Sequence, residues 1–139
     1  MKDKNLLINE RIDPKKIHCI CPYYSNMFDL KPDYASKNII FFGAMDNSEN
    51  YLSAIWFIEN VFDEIVKGYP ESKFFVVGGS PPSKLLKYNS DNTIITGFVD
   101  NPKKYFEKSS LMVAPLLLGG GIKVKILLIV HLKSPMVKQ

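Results

Sequence analysis

Four short runs in this chain are almost free of charge: "NIIFFG" (38–43), "KFFVVGG" (73–79), "NTIITGFV" (92–99) and "LMVAP" (111–115). A strand with one face in water alternates apolar and polar residues, whereas a run without that alternation must be covered on both faces. Strands of that kind belong to parallel sheets held between helices, and the stretches separating the runs are helical in pattern. Few folds satisfy this. With right-handed crossovers, the alternation predicts a doubly wound, Rossmann-like α/β domain with a parallel sheet.

The helical stretches carry their own punctuation. "AMDNSEN" supplies cap-type residues, and a helix is expected from about 51 to 67, with Ile55, Ile58, Phe62 and Ile65 along one face. Gly68 and Pro70 stop it in the order that helix ends favour. "PPSKLLKYN" and "NPKKYFEKSS" read as short helices opened by proline. Residues 122–133 form a fourth expected helix, apolar almost all round, and "PMV" the start of a fifth strand. Before Asn38 the pattern changes. "DPKKIHCICPYYSNMFDLKPDYASK" holds one short strand and then a turn-rich stretch, which reads as a linker entering the domain.

At 139 residues there is room for one domain and one core. The net charge of +4 invites a polyanionic partner, but Arg11 is the sole arginine and the lysines are scattered, so nucleic acid is not expected. Charge asymmetry is more telling. After Glu107 there is no Asp or Glu, while Lys108, Lys123, Lys125, Lys133 and Lys138 remain, as an anionic small molecule would require. Cys19 and Cys21 would share one face of a strand, where a bridge between them is strained. Only His18 is near as a further ligand, so reduced cysteines and no metal site are expected. Nothing at the N-terminus reads as a signal peptide and no run is apolar enough to span a bilayer, which makes the cytoplasm the expected location.

In an open parallel sheet, ligands sit outside the carboxyl ends of the strands. Those ends are "GAMD", "GGSPP", "TGFVD" and "LLLGGG", each with glycine that lets backbone approach a ligand. The last loop feeds a helix N-terminus, where free N–H groups and the helix dipole favour an anion. Gly119, Gly120 and Gly121 permit close approach, and Lys123 and Lys125 add positive charge. A diphosphate site and a glycine loop with solvated lysines both fit this loop taken alone. Neither the P-loop nor the spaced-glycine dinucleotide pattern is present, and His18, His131 and Ser80 form no nucleophilic constellation. No catalytic residue is assigned.

Taken in order, "NIIFFGAMDNSEN", "AIWFIENVF", "FFVVGGSPP", "TGFVDNPKKYFEKSSLMVAPLLLGGGIKVKIL" and "PMV" resemble the C-terminal domain of two-Rossmann-domain (GT-B) glycosyltransferases. The resemblance is to the "glycosyl transferases group 1" family of retaining, nucleotide-sugar-dependent enzymes, and it covers roughly 15–137. It implies a donor-binding half that takes a UDP- or GDP-sugar as substrate, needs no other cofactor, and transfers a hexose-type sugar to a glycan, lipid-linked or protein acceptor. The base would sit near Gly97, Phe98 and Val99, and the diphosphate at Gly119, Gly120, Gly121 and Ile122 with help from Lys123 or Lys125. Gly43 and Gly79 would line the near wall. Residues 1–37 would be the tail of an N-terminal domain and the interdomain linker, and 38–139 a C-terminally truncated nucleotide-sugar-binding domain.

The resemblance also implies a difference. Family members usually carry a glutamate after the "KIL" step and many carry another eight positions earlier; here these positions are Leu128 and Gly120. The alternative to a transferase is therefore a Rossmann-like binding or subunit module that has lost sugar transfer. In either case the apolar helix 122–133 is expected to meet an acceptor-domain protein or a second copy, in the cytoplasm or peripherally at a membrane.

Overall fold

The computed structural model describes residues 2–18 and 30–115. Its centre is a four-stranded, all-parallel sheet of β1 (Ile39–Phe42), β2 (Phe74–Val77), β3 (Thr93–Gly97) and β4 (Leu111–Met112), in the order β3-β2-β1-β4. Each strand falls inside a run read as one from the sequence. The expected doubly wound α/β fold is what forms, and the order adds what the runs could not give: the chain moves outward one way from β1, then returns to its other side. The reversal lies between β1 and β4.

Side-chain alternation explains why the runs are apolar throughout. Ile39, Phe41, Phe74 and Val76 face one layer, with Ala54, Phe57, Ile58, Phe62 and Leu85. Ile40, Phe75 and Val77 face the other, with Phe106 and Met112. The first layer is built from α2 (Ser48–Phe57), a π-helical segment (Ile58–Phe62), α3 (Asp63–Gly68) and α4 (Ser83–Leu86); the second is built on α5 (Lys103–Glu107). A leading helix, α1 (Lys2–Asn9), and a 3-10 turn (Pro14–Lys16) stand before the sheet.

Helix α2 begins at Ser48, three residues before the expected Tyr51. Asn47 accepts a hydrogen bond from the Glu49 N–H at 2.9 Å, so the polar "SEN" forms a capped first turn. The helical path then slips. The π segment widens one turn so that residues five apart come to lie one above the other; in an unbroken α-helix they would stand about 140° apart. Phe57 and Phe62 thereby both reach Phe74, with ring centroids 4.8 and 5.4 Å away. The expected Ile55, Ile58, Phe62 and Ile65 all pack against one core, Ile55 and Ile65 half-buried, and the fully buried stripe adds Ala54 and Phe57 to Ile58 and Phe62. The helix ends at Gly68, and the Tyr69 N–H closes it on Ile65 O at 2.8 Å, as the Gly–Pro signal predicted.

Two asparagines manage the margins of the sheet. At the amino ends, Asn38 donates from Nδ2 to Lys108 O (3.0 Å) and accepts the Lys73 N–H on Oδ1 (2.9 Å), joining the entries to β1, β2 and β4. At the outer flank of β3, the Ile95 N–H donates to Asn89 Oδ1 (3.1 Å), the Thr93 N–H to Ser90 Oγ (3.1 Å), and the Ser90 N–H to Thr93 O (2.8 Å). The turn before β3 thus covers backbone groups that an outermost strand would otherwise expose.

The segment before the sheet is docked. Leu30 packs on the α5 layer and the Asp33 N–H donates to Glu107 O at 2.9 Å. Of the short strand expected in "KIHCICP", Lys16 closes the 3-10 turn and Ile17 and His18 have no regular structure; Cys19 and Cys21 lie outside the described residues. So do the expected helix 122–133 and the "PMV" strand.

Candidate functional site

The strand order reverses between β1 and β4, and in open α/β sheets ligands bind outside the carboxyl ends of the strands at such a reversal. Gly43, Ala44, Met45 and Asp46 leave β1 there, and Val113, Ala114 and Pro115 leave β4. The Val113 N–H donates to Ile40 O at 2.9 Å, so the exit of β4 stays bound to β1. Gly119, Gly120, Gly121, Ile122, Lys123 and Lys125 follow and lie outside the described residues, as does Leu128.

The loops after β1 and β2 interlock. The Gly43 N–H donates to Val77 O (3.1 Å) and the Met45 N–H to Gly79 O (2.9 Å), while the Met45 side chain is fully buried. A Cβ on Gly78 would lie 1.7 Å from Gly43 O, a separation no side chain tolerates. A Cβ on Gly79 would meet only the Phe98 side chain, at an ordinary 3.8 Å. The two neighbouring glycines therefore differ: Gly78 permits the loops to close on each other, and Gly79 presents its surface beside Phe98. Sequence reasoning named Gly79 and missed Gly78. The doublet itself was the signal, but the carbonyl that makes Gly78 obligatory comes from another strand.

On β3 a bulge and a left-handed glycine redirect the chain. The register with β2 slips between Val76 and Val77, so that Thr96 is skipped, and Gly97 has φ +68°. Nothing stands within 4 Å of a Cβ built on Gly97, so its glycine identity answers to backbone conformation and not to crowding. Beyond this turn Phe98 projects into solvent, 77% exposed, whereas Val99 folds back against the α5 layer. Phe98 and Gly79 are thus brought together, Gly43 lies against Gly78, and Val99 packs its half-buried side chain against the α5-side core.

Ser80 follows Gly79 in a left-handed conformation, φ +56°, which is uncommon for a residue with a Cβ. Asn50, on the first turn of α2, donates from Nδ2 to Ala44 O at 2.8 Å. From the sequence Ser80 was considered only as a nucleophile and set aside, and Asn50 was hidden among cap-type residues. Among the described residues, no three His, Cys, Asp or Glu side chains stand close enough to hold a metal ion. No helix among them is long and apolar enough to cross a membrane. A small apolar cavity between Leu30, Pro32, Phe106 and Met112 lies on the α5 side and belongs to the packing of the entering segment.

Comparison with known proteins gives this sheet a family. The model of the family Glycosyl transferases group 1 matches residues 36–138, and the chain belongs to that family. It is also similar to an uncharacterized 44.6 kDa protein in the cps region of Klebsiella pneumoniae, 24% identical over 121 residues. That match takes in 81% of this chain and 30% of the Klebsiella protein, so the chain spans less than a third of the length of that curated relative.

Proposed function

We propose that this chain is the donor-binding portion of a nucleotide-sugar-dependent glycosyltransferase, with residues 38–139 as the nucleotide-sugar-binding unit. The observation that carries this reading is the strand reversal between β1 and β4, with Gly43 at the carboxyl end of β1 and the glycine triplet following β4 in sequence. Family membership supplies the class of reaction. A UDP- or GDP-sugar would lay its base near Gly97 and the exposed Phe98, with Gly79 beneath. Its diphosphate would reach Gly119, Gly120, Gly121 and Ile122, where Lys123 and Lys125 oppose its charge. The acceptor would be a glycan, a lipid-linked glycan or a protein, and the site would work in the cytoplasm.

A second reading, a binding module that has lost transfer, is favoured by one feature. Leu128 and Gly120 stand where the family resemblance leads one to expect carboxylates. Calorimetry with uridine, guanosine, UDP, GDP and their sugars tests both. The expected result is binding of one nucleoside diphosphate well above its nucleoside, reduced severalfold by Lys123→Ala with Lys125→Ala. Failure to bind any of them overturns the donor-site reading. Binding without release of nucleotide from any sugar donor, in the presence of acceptors, selects the second reading.

A further inference from the structure

We propose that Asn50 is a positioning residue for the donor site, one that sets the β1–α2 loop at the height the nucleotide requires; this rests on the nucleotide-binding reading above. Gly43 and Met45 are tied to the loop after β2 through Val77 O and Gly79 O. Ala44 stands between them, and its carbonyl is taken by the Asn50 amide at 2.8 Å. The loop is thus held from two sides, by β2 through backbone and by α2 through one side chain. Asn50 is itself fixed, because it rides on a first turn capped by Asn47.

The same amide closes the space above Gly43. A Cβ built on Gly43 would lie 3.0 Å from Asn50 Nδ2 and 3.2 Å from Asn50 Cγ. The space above Gly43 is therefore set by Asn50, and the two positions are coupled. Because Met45 shares its tie with Gly79, a displacement of the Ala44 carbonyl is carried to the β2 loop and so to the neighbour of Phe98. In this way one side chain on α2 is linked to both loops.

The test uses the full chain with UDP and GDP as probes. On addition of the nucleotide that wild type binds, the amide resonances of Gly43, Ala44 and Met45 should shift. Asn50→Ala should weaken that nucleotide about fivefold, the equivalent of one net hydrogen bond. Gly43→Ala should weaken it in wild type yet add nothing in the Asn50→Ala background, since the colliding amide is gone. Thermal unfolding of each variant is followed in parallel. An Asn50→Ala protein that loses stability but binds within twofold of wild type overturns the proposal, as does strict additivity of the two substitutions. Wild type that binds neither UDP nor GDP sinks the nucleotide reading itself and this proposal with it; wild-type binding with an indifferent Asn50 sinks this proposal alone.

Discussion

Replacing Gly78 by alanine puts a methyl group into a space already held by a carbonyl. The added carbon would sit 1.7 Å from Gly43 O and 2.8 Å from Gly43 C, both backbone atoms that no rotamer change can move. The β1 and β2 loops must separate by more than an ångström before that contact becomes tolerable. The Gly43-to-Val77 and Met45-to-Gly79 hydrogen bonds, 3.1 and 2.9 Å, are then lost or badly strained. Each is worth about 0.5–1.5 kcal/mol net, and the buried Met45 loses part of its packing as well. A destabilisation of about 2–4 kcal/mol is expected, enough to lower the melting temperature by roughly 10–20 °C in a domain of this size. Gly79→Ala is the control, because its methyl would reach Phe98 at an ordinary 3.8 Å; a change below about 1 kcal/mol is expected. Urea titration followed by circular dichroism measures both. If Gly78→Ala unfolds within about 0.5 kcal/mol of wild type, or Gly79→Ala is equally damaging, the division of labour between the two glycines is refuted.

Ser80→Gly should stabilise the chain by roughly 0.5–1 kcal/mol, because the left-handed φ of +56° penalises a side chain by more than glycine loses in freedom; a drop in melting temperature would contradict this. Ser72→Ala should be neutral or stabilising by about 1 kcal/mol, since the Ser72 hydroxyl is fully buried with no partner among the described residues. Measured destabilisation would mean that the hydroxyl is bonded after all. The Tyr88 hydroxyl donates to Glu59, and that bond raises its pKa above the ordinary 10.0. Its contribution is therefore present at neutral pH and lost as pH rises through the raised value. Tyrosinate absorbance should show a late-titrating component from Tyr88 that is lost in Glu59→Gln.

The strands were legible because each run is apolar on both of its faces and is bounded by glycine, proline or cap-type residues. Their order was not, since nothing in "LMVAP" says that it pairs with "IIFF" and not with "TIIT"; only the path of the crossovers decides that. The start of α2 was misplaced because Ser48, Glu49 and Asn50 have no apolar period. The slip at Ile58–Phe62 was invisible because the ring that Phe57 and Phe62 meet through it, Phe74, belongs to another element. At the site, the value of glycine at strand ends could be read directly. That Gly97 is glycine for its φ, that Gly78 is glycine for a neighbour's carbonyl, and that Phe98 stands over Gly79 are facts of tertiary structure. Helix α1 gave little warning, for "KDKNLLIN" has only three apolar residues.

The turn that covers the flank of β3 gives the sheet a direction. With Thr93 and Ile95 already bonded to Asn89 and Ser90, β3 takes no further neighbour without surrendering bonds it holds. Among the described residues, the flank of β4 is left to receive one. Accretion is therefore one-sided: a strand added by this chain or by another molecule arrives on the β4 side, next to the reversal, while the distant margin stays sealed.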